Sequence, residues 1–157
     1  MPIEFVPFEP AHFEAIELRP EEARDLEGLD RATVVKGFHG GLTAFDGDKV
    51  ACIYGAITDG SGVAQMWLLT SALVERWPLL LTKRVRHLTQ WLFAQGCHRV
   101  EVYCHVDNQR SLRWLTRLAG FQVEGIIRQS GANRQDRFLL SRVLPRLNGK
   151  ILASQGE

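Results

Sequence analysis

Residues 63–108 constrain the fold more than any other part of the chain. Val63 to Leu69 reads as a strand, and Thr70 to Pro78 as a loop. A helix follows from about Leu79 to Gln95 and is stopped by Gly96. Arg99 to His105 reads as a second strand, after which Asn108 opens another helix. Two parallel strands need a crossover of this kind, and it is almost always right-handed. The crossover also aims the unpaired N–H groups of a helix start beyond the end of the first strand, an arrangement that favours a phosphate.

The rest of the chain fits one domain, 1–147, with a polar tail over 148–157 that is expected to fray. At 157 residues the chain can bury a real core. Its 45% apolar and 24% charged residues are ordinary globular usage. A net charge of +1 gives no bulk field for nucleic acid or a membrane surface. No apolar run approaches the roughly 20 residues of a membrane helix, and Met1 to Phe5 has no signal-peptide pattern. The expected compartment is the cytoplasm. Cys52, Cys97 and Cys104 lack C-x-x-C spacing and read as buried free thiols.

Taken in order, Ile3 to Pro7 is a first strand, Glu9 to Glu17 a short helix, and Pro20 starts another with acids in its first turn. Asp30 caps a third helix through Val34, Val35 and Phe38. Gly41–Phe45 and Lys49–Thr58 are strands joined by Asp46-Gly47-Asp48, a strong hairpin signal. In the second of them Val50, Cys52 and Tyr54 should face one way and Ala51, Ile53 and Ile57 the other. Leu81, Val85, Leu88 and Leu92 form the apolar stripe of the long helix. The helix from Asn108 to Ala119 should bury Leu112, Leu115 and Leu118, with Arg110, Arg113 and Arg117 on another face. Strands follow from Phe121 to Arg128 and from Asp136 to Val143. The fold class is α/β, with a mixed, mostly antiparallel sheet of about 6–7 strands and helices on both faces.

This order resembles the GCN5-related N-acetyltransferase (GNAT) fold. The resemblance is carried by the segment from Asn108 to Gly120-Phe121 and by Gly96 before the Arg99 strand. Leu18-Arg19-Pro20-Glu21-Glu22, the Asp46-Gly47 hairpin and Met66 to Ser71 are also similar to a GNAT-like group of short-tailed bacteriophages that includes an internal virion protein. The family's acyl-CoA signature, Gln/Arg-x-x-Gly-x-Gly/Ala, falls on Arg76 to Leu81. Arg76 matches, but both glycine positions are leucine, Leu79 and Leu81. Glycine there lets backbone approach the pyrophosphate closely, so the leucines predict obstruction or a different loop path.

The resemblance implies an acetyl group moved from acetyl-CoA to an unknown amine by direct attack. It places the central parallel strands splayed apart. The backbone of Leu68, Leu69 and Thr70 would pair with the pantetheine amides. Arg76, Lys83 and Arg84, with N–H groups near Thr82 and Lys83, would meet the pyrophosphate, and Asn108 would bond the pantetheine or fix the strand ends. Tyr103 and His105 are the catalytic candidates, because they project from one face of a central strand and histidine has a suitable pKa. The family's tyrosine acid falls on Leu115 and is missing. Glu17 and Glu21 lie in the segment that would line an acceptor site, although acids at a helix start usually serve the dipole. No third ligand joins His105-x-Asp107, so no metal is expected. The alternative is a GNAT-fold phage protein that has lost catalysis, with virion proteins as partners and a place in the host cytoplasm or the virion. A homodimer is compatible with either.

Overall fold

A computed structural model describes residues 2–147 and 150–151. The elements are β1 (Ile3–Pro7), α1 (Pro10–Ala15), α2 (Pro20–Asp25), α3 (Arg31–Gly37), β2 (Leu42–Asp46), β3 (Lys49–Thr58), β4 (Val63–Thr70), α4 (Pro78–Ala94), β5 (Arg99–His105), α5 (Gln109–Arg117), β6 (Gln122–Ile127) and β7 (Arg137–Val143). A short 3-10 helix, Ala72–Arg76, occupies the stretch expected to be plain loop before α4. The strands form one sheet in the order β1-β2-β3-β4-β5-β7-β6, all antiparallel except β4–β5. Of the expected tail, Lys150–Ile151 pairs with Arg146–Leu147. Asn148, Gly149 and 152–157 lie outside the described residues.

The ends of the elements follow local chemistry. Asp30 accepts the Thr33 N–H and caps α3, and Asn108 accepts the Ser111 N–H and caps α5. Pro20 and Pro78 each take a first helical position, where a missing N–H costs nothing. Gly96 ends α4 at φ 107°, a conformation that favours glycine.

One expectation about faces fails at a bulge. Ala44 pairs with Cys52 and Phe45 with Val50, which leaves Ala51 without an opposite residue. The alternation slips there. Val50 packs with Ile53, Ile16 and Phe38 under α1 and α3. Ala51 joins Cys52, Tyr54 and Val74 on the α4 face. The main core lies between the sheet and α4–α5, around Val85, Leu92, Val100, Leu115, Phe121 and Leu140. Leu118 does not join it: α5 ends at Arg117 and leaves Leu118 47% exposed. The cysteines are buried and free. Burial pushes the Cys52 and Cys104 thiols up to about 12, so neither is a ready thiolate. Among the described residues no helix is long and apolar enough to cross a membrane.

Candidate active site

The parallel pair is short. β4 and β5 bond over only three registers, Val63↔Arg99, Ala64↔Val100 and Gln65↔Glu101. Beyond Gln65, β4 stays on β3 as far as Thr70, while β5 stays on β7 as far as His105. The two strands are held by different partners and part into a wedge. Two hollows fill it. The inner, about 220 Å³, reaches Gln65, Met66, Tyr103, His105, Asn108 and Arg137. The outer, about 170 Å³, runs past Thr70 and Val74 to Pro78 and Leu81 at the start of α4. Glu22, Leu68, Ser111 and Trp114 line both, so they mark the junction.

Glu22 is the residue at that junction that the sequence reading passed over. It comes from α2 and is 7% exposed. Its Oε1 accepts the Thr70 hydroxyl, and its buried Oε2 has no partner among the described residues. Burial pushes its pKa up to about 7; the Thr70 hydrogen bonds and the Arg19 charge oppose that rise without cancelling it. Glu17 and Glu21 line neither hollow.

On the inner side, His105 Nε2 lies 3.4 Å from Asp25 Oδ1. Burial, then the Arg137 charge, holds the His105 pKa below its usual value, which leaves the ring neutral near pH 7. Burial raises Asp25 to about 6. The Arg137 guanidinium sits 4.3 Å over the Tyr103 ring. Asp25 and Arg137 are thus two further groups that sequence reasoning missed. Cluster and cavity are assembled from α2, β5 and β7, and no spacing within one element announces them.

The expected cofactor residues divide. Ser71 donates its N–H to Ala51 O on β3, so by alternation the backbone of Leu69 also faces β3. The Leu68 backbone faces the wedge. The Leu69 N–H and C=O point to β3, away from the wedge. The Thr70 C=O already accepts the Arg19 N–H at 3.2 Å. Arg76 has a partner of its own. Its Nη1 bonds the buried Asp46 Oδ2 at 3.0 Å, beside the Trp77 Nε1 bond to the same oxygen, and it lines neither hollow. Arg84 lies 4.0 Å over the Phe5 ring on β1, and Lys83 is exposed. Thr82 Oγ1 donates to Pro78 O and accepts the Trp114 indole N–H, tying α4 to α5. Asn108 is buried and lines the inner hollow while capping α5.

The cations at the outer mouth are instead Arg19 and Arg110, which share Glu75 at 3.3 and 2.7 Å. Leu79 does not plug the opening: it is 80% exposed. Leu81 forms part of the wall and packs on the core beneath. Among the described residues no group of three or more His, Cys, Asp or Glu is arranged to hold a metal.

A model of the acetyltransferase (GNAT) family matches residues 82–121, which carry α4, β5 and α5. Among solved structures, Ard1 from Thermoplasma volcanium superposes with a TM-score of 0.73 at 11% identity, over 92% of this chain and 99% of that one. This chain has the GNAT fold. The ribosomal-protein-S18-alanine N-acetyltransferase from Escherichia coli shares the GNAT fold at a TM-score of 0.66 and 14% identity, over 96% and 99% of the two chains. A GCN5-related N-acetyltransferase from Kribbella flavida does so at 0.62 and 16%, over 90% and 98%. At such identities the likeness is one of fold. No curated protein matches the sequence significantly.

Proposed function

We propose that this protein is an acetyl-CoA-dependent N-acyltransferase that acetylates an amine by direct attack. The observation that carries the reading is the position of Glu22. A buried carboxyl with a pKa near 7 stands where a hollow leading from the start of α4 meets a second, deeper hollow. The outer hollow suits the pantetheine arm, with the Leu68 backbone as an added-strand partner and Arg19, Arg110 and the first-turn N–H groups of α4 towards the phosphates. The inner hollow suits the amine.

In this reading the amine nitrogen attacks the thioester carbonyl. A C–N bond forms, the C–S bond breaks, and the thiolate leaves and takes up a proton. Glu22 removes the proton that the nitrogen must lose. A base is most effective when its pKa is near the working pH, and Glu22 meets that condition better than His105, whose basicity is depressed and whose ring is turned to Asp25. His105 and Tyr103 then shape the amine side of the cavity. Holding both reactants in the wedge supplies the remainder of the catalysis.

Calorimetry with acetyl-CoA tests the reading. A ligand at 100 times its Kd stabilises the fold by about 2.7 kcal/mol, a rise of roughly 5–11 °C in Tm for a chain of this size. No heat and no shift at millimolar acetyl-CoA would leave only a scaffold without this catalysis. Nothing in the comparisons supports the likeness to a phage virion protein.

A further inference from the structure

We propose that the acceptor is a small molecule carrying its own anionic group beside the amine, an α-amino acid or close analogue, and that Arg137 holds that group. The inference rests on the acetyl-transfer reading and adds the substrate class.

Three observations lead to it. First, Arg137 lines the inner hollow from β7, and among the described residues no carboxylate is paired with it. Its Nε donates to Ser130 Oγ at 2.9 Å and its Nη2 to Ser130 O at 2.8 Å, while its face rests on Tyr103. The guanidinium is therefore fixed in place, with Nη1 outside those bonds. A half-buried, oriented cation of this kind suits an incoming carboxylate.

Second, the same cavity holds a carboxyl at its junction with the outer hollow. Glu22 Oε2 is buried there without a partner, whereas Asp25 lies on the His105 and Arg137 side. A buried acceptor without a donor costs free energy that an ammonium or amine N–H would recover. The buried Trp67 indole N–H, on the same lining, also lacks a partner. A molecule with an amine at one end and an acid at the other is complementary to Glu22 and Arg137.

Third, the cavity is roofed on this side. The loop after α2 meets the β6–β7 loop: Asn133 Nδ2 lies 3.4 Å from Glu27 Oε2, and a Cβ on Gly28 would stand 2.6 Å from Asn133 Oδ1. A Cβ on Gly131 would stand 3.1 Å from His105 Cε1, so the β6–β7 loop is pressed onto the ring. A free amino acid fits beneath such a roof better than a polypeptide N-terminus, whose chain must leave through it.

The test is a panel of α-amino acids, their α-amides, the matching decarboxylated amines and short peptides, each assayed for thiol release from acetyl-CoA. At least one free acid should exceed its amide, its decarboxylated amine and peptides beginning with that residue by roughly tenfold or more in kcat/KM, the loss expected when a charged hydrogen bond is removed. Arg137→Gln should erase most of that preference and leave acetyl-CoA affinity unchanged; Arg137→Lys should restore part of it. If acetyl-CoA binds but amides, plain amines or peptides are preferred, or no free acid is turned over, the substrate class is wrong and the acetyltransferase reading stands. If acetyl-CoA does not bind, both fall.

Discussion

The first turn of α4 and the short helix α2 make an instructive pair. The sequence points to α4, with its basic residues, the arginine of a cofactor signature just before it and its place after a central strand. Yet Arg76 is bound to Asp46, Arg84 lies over Phe5, and Lys83 is exposed. Helix α2 has six residues and looks peripheral, but it delivers Glu22 and Asp25 into the wedge. A cation on a long side chain readily finds a nearby surface partner. A carboxylate on a short helix packed over a splayed sheet has nowhere else to go. Chemical richness in the sequence therefore marked groups that the fold binds elsewhere, and burial marked the carboxyl proposed as the base.

That contrast can be broken most sharply at Glu22. Glu22→Gln should lower kcat/KM by roughly 10²–10⁴-fold, the usual range for losing a general base. It should also remove the acidic limb, with a pKa near 7, from the pH profile. His105→Gln should retain that limb; if it is His105→Gln that loses the limb, the assignment of the base is reversed.

Stability against pH gives the next largest effect. The Glu22 pKa rises from 4.5 to about 7 on folding, so protonated Glu22 suits the fold better than ionised Glu22. The stability this group allows is fully present below 4.5 and falls as pH climbs to about 7, by about 1–3 kcal/mol. Asp25, raised from 3.8 to about 6, acts in the same direction over a lower window. The Tm of the native protein should therefore drop across this range. Glu22→Gln should flatten the upper part, melting higher than the native protein near pH 8 while losing activity. Thermal melts at several pH values measure both.

Arg76→Ala sharpens the other side of the comparison. It should cost about 1–3 kcal/mol, because the pair joins an exposed arginine to a buried carboxylate, and leave acetyl-CoA affinity within about threefold. The Trp77 indole still holds Asp46 in the variant. A tenfold loss of affinity by calorimetry would return Arg76 to the cofactor. The smallest effect belongs to Leu79→Ala. An exposed side chain away from any special contact contributes within about 0.5 kcal/mol, so neither Tm nor affinity should move noticeably, and a marked gain in affinity would show that the leucine does obstruct the cofactor.

By itself the sequence determined the elements and their order. Period-2 and period-3.6 patterns, proline at helix starts, Asp30 and Asn108 as caps, and Gly47 and Gly96 at turns act over a few residues, and β5 runs over the expected Arg99–His105. From that order the parallel pair and the helix aimed along it were also legible, and the splay of the pair followed from the resemblance to the GNAT fold. Tertiary structure alone decided which groups meet in the opening. The bulge at Ala51 reversed part of β3, the strand pairing turned Leu69 away, and the packing of α2 over the wedge buried Glu22. Local patterns are written in neighbouring residues. The desolvation that lifts a carboxyl to pKa 7, and the salt bridge that ties Arg76 to Asp46, arise between residues some thirty or more positions apart, where no spacing in the chain records them.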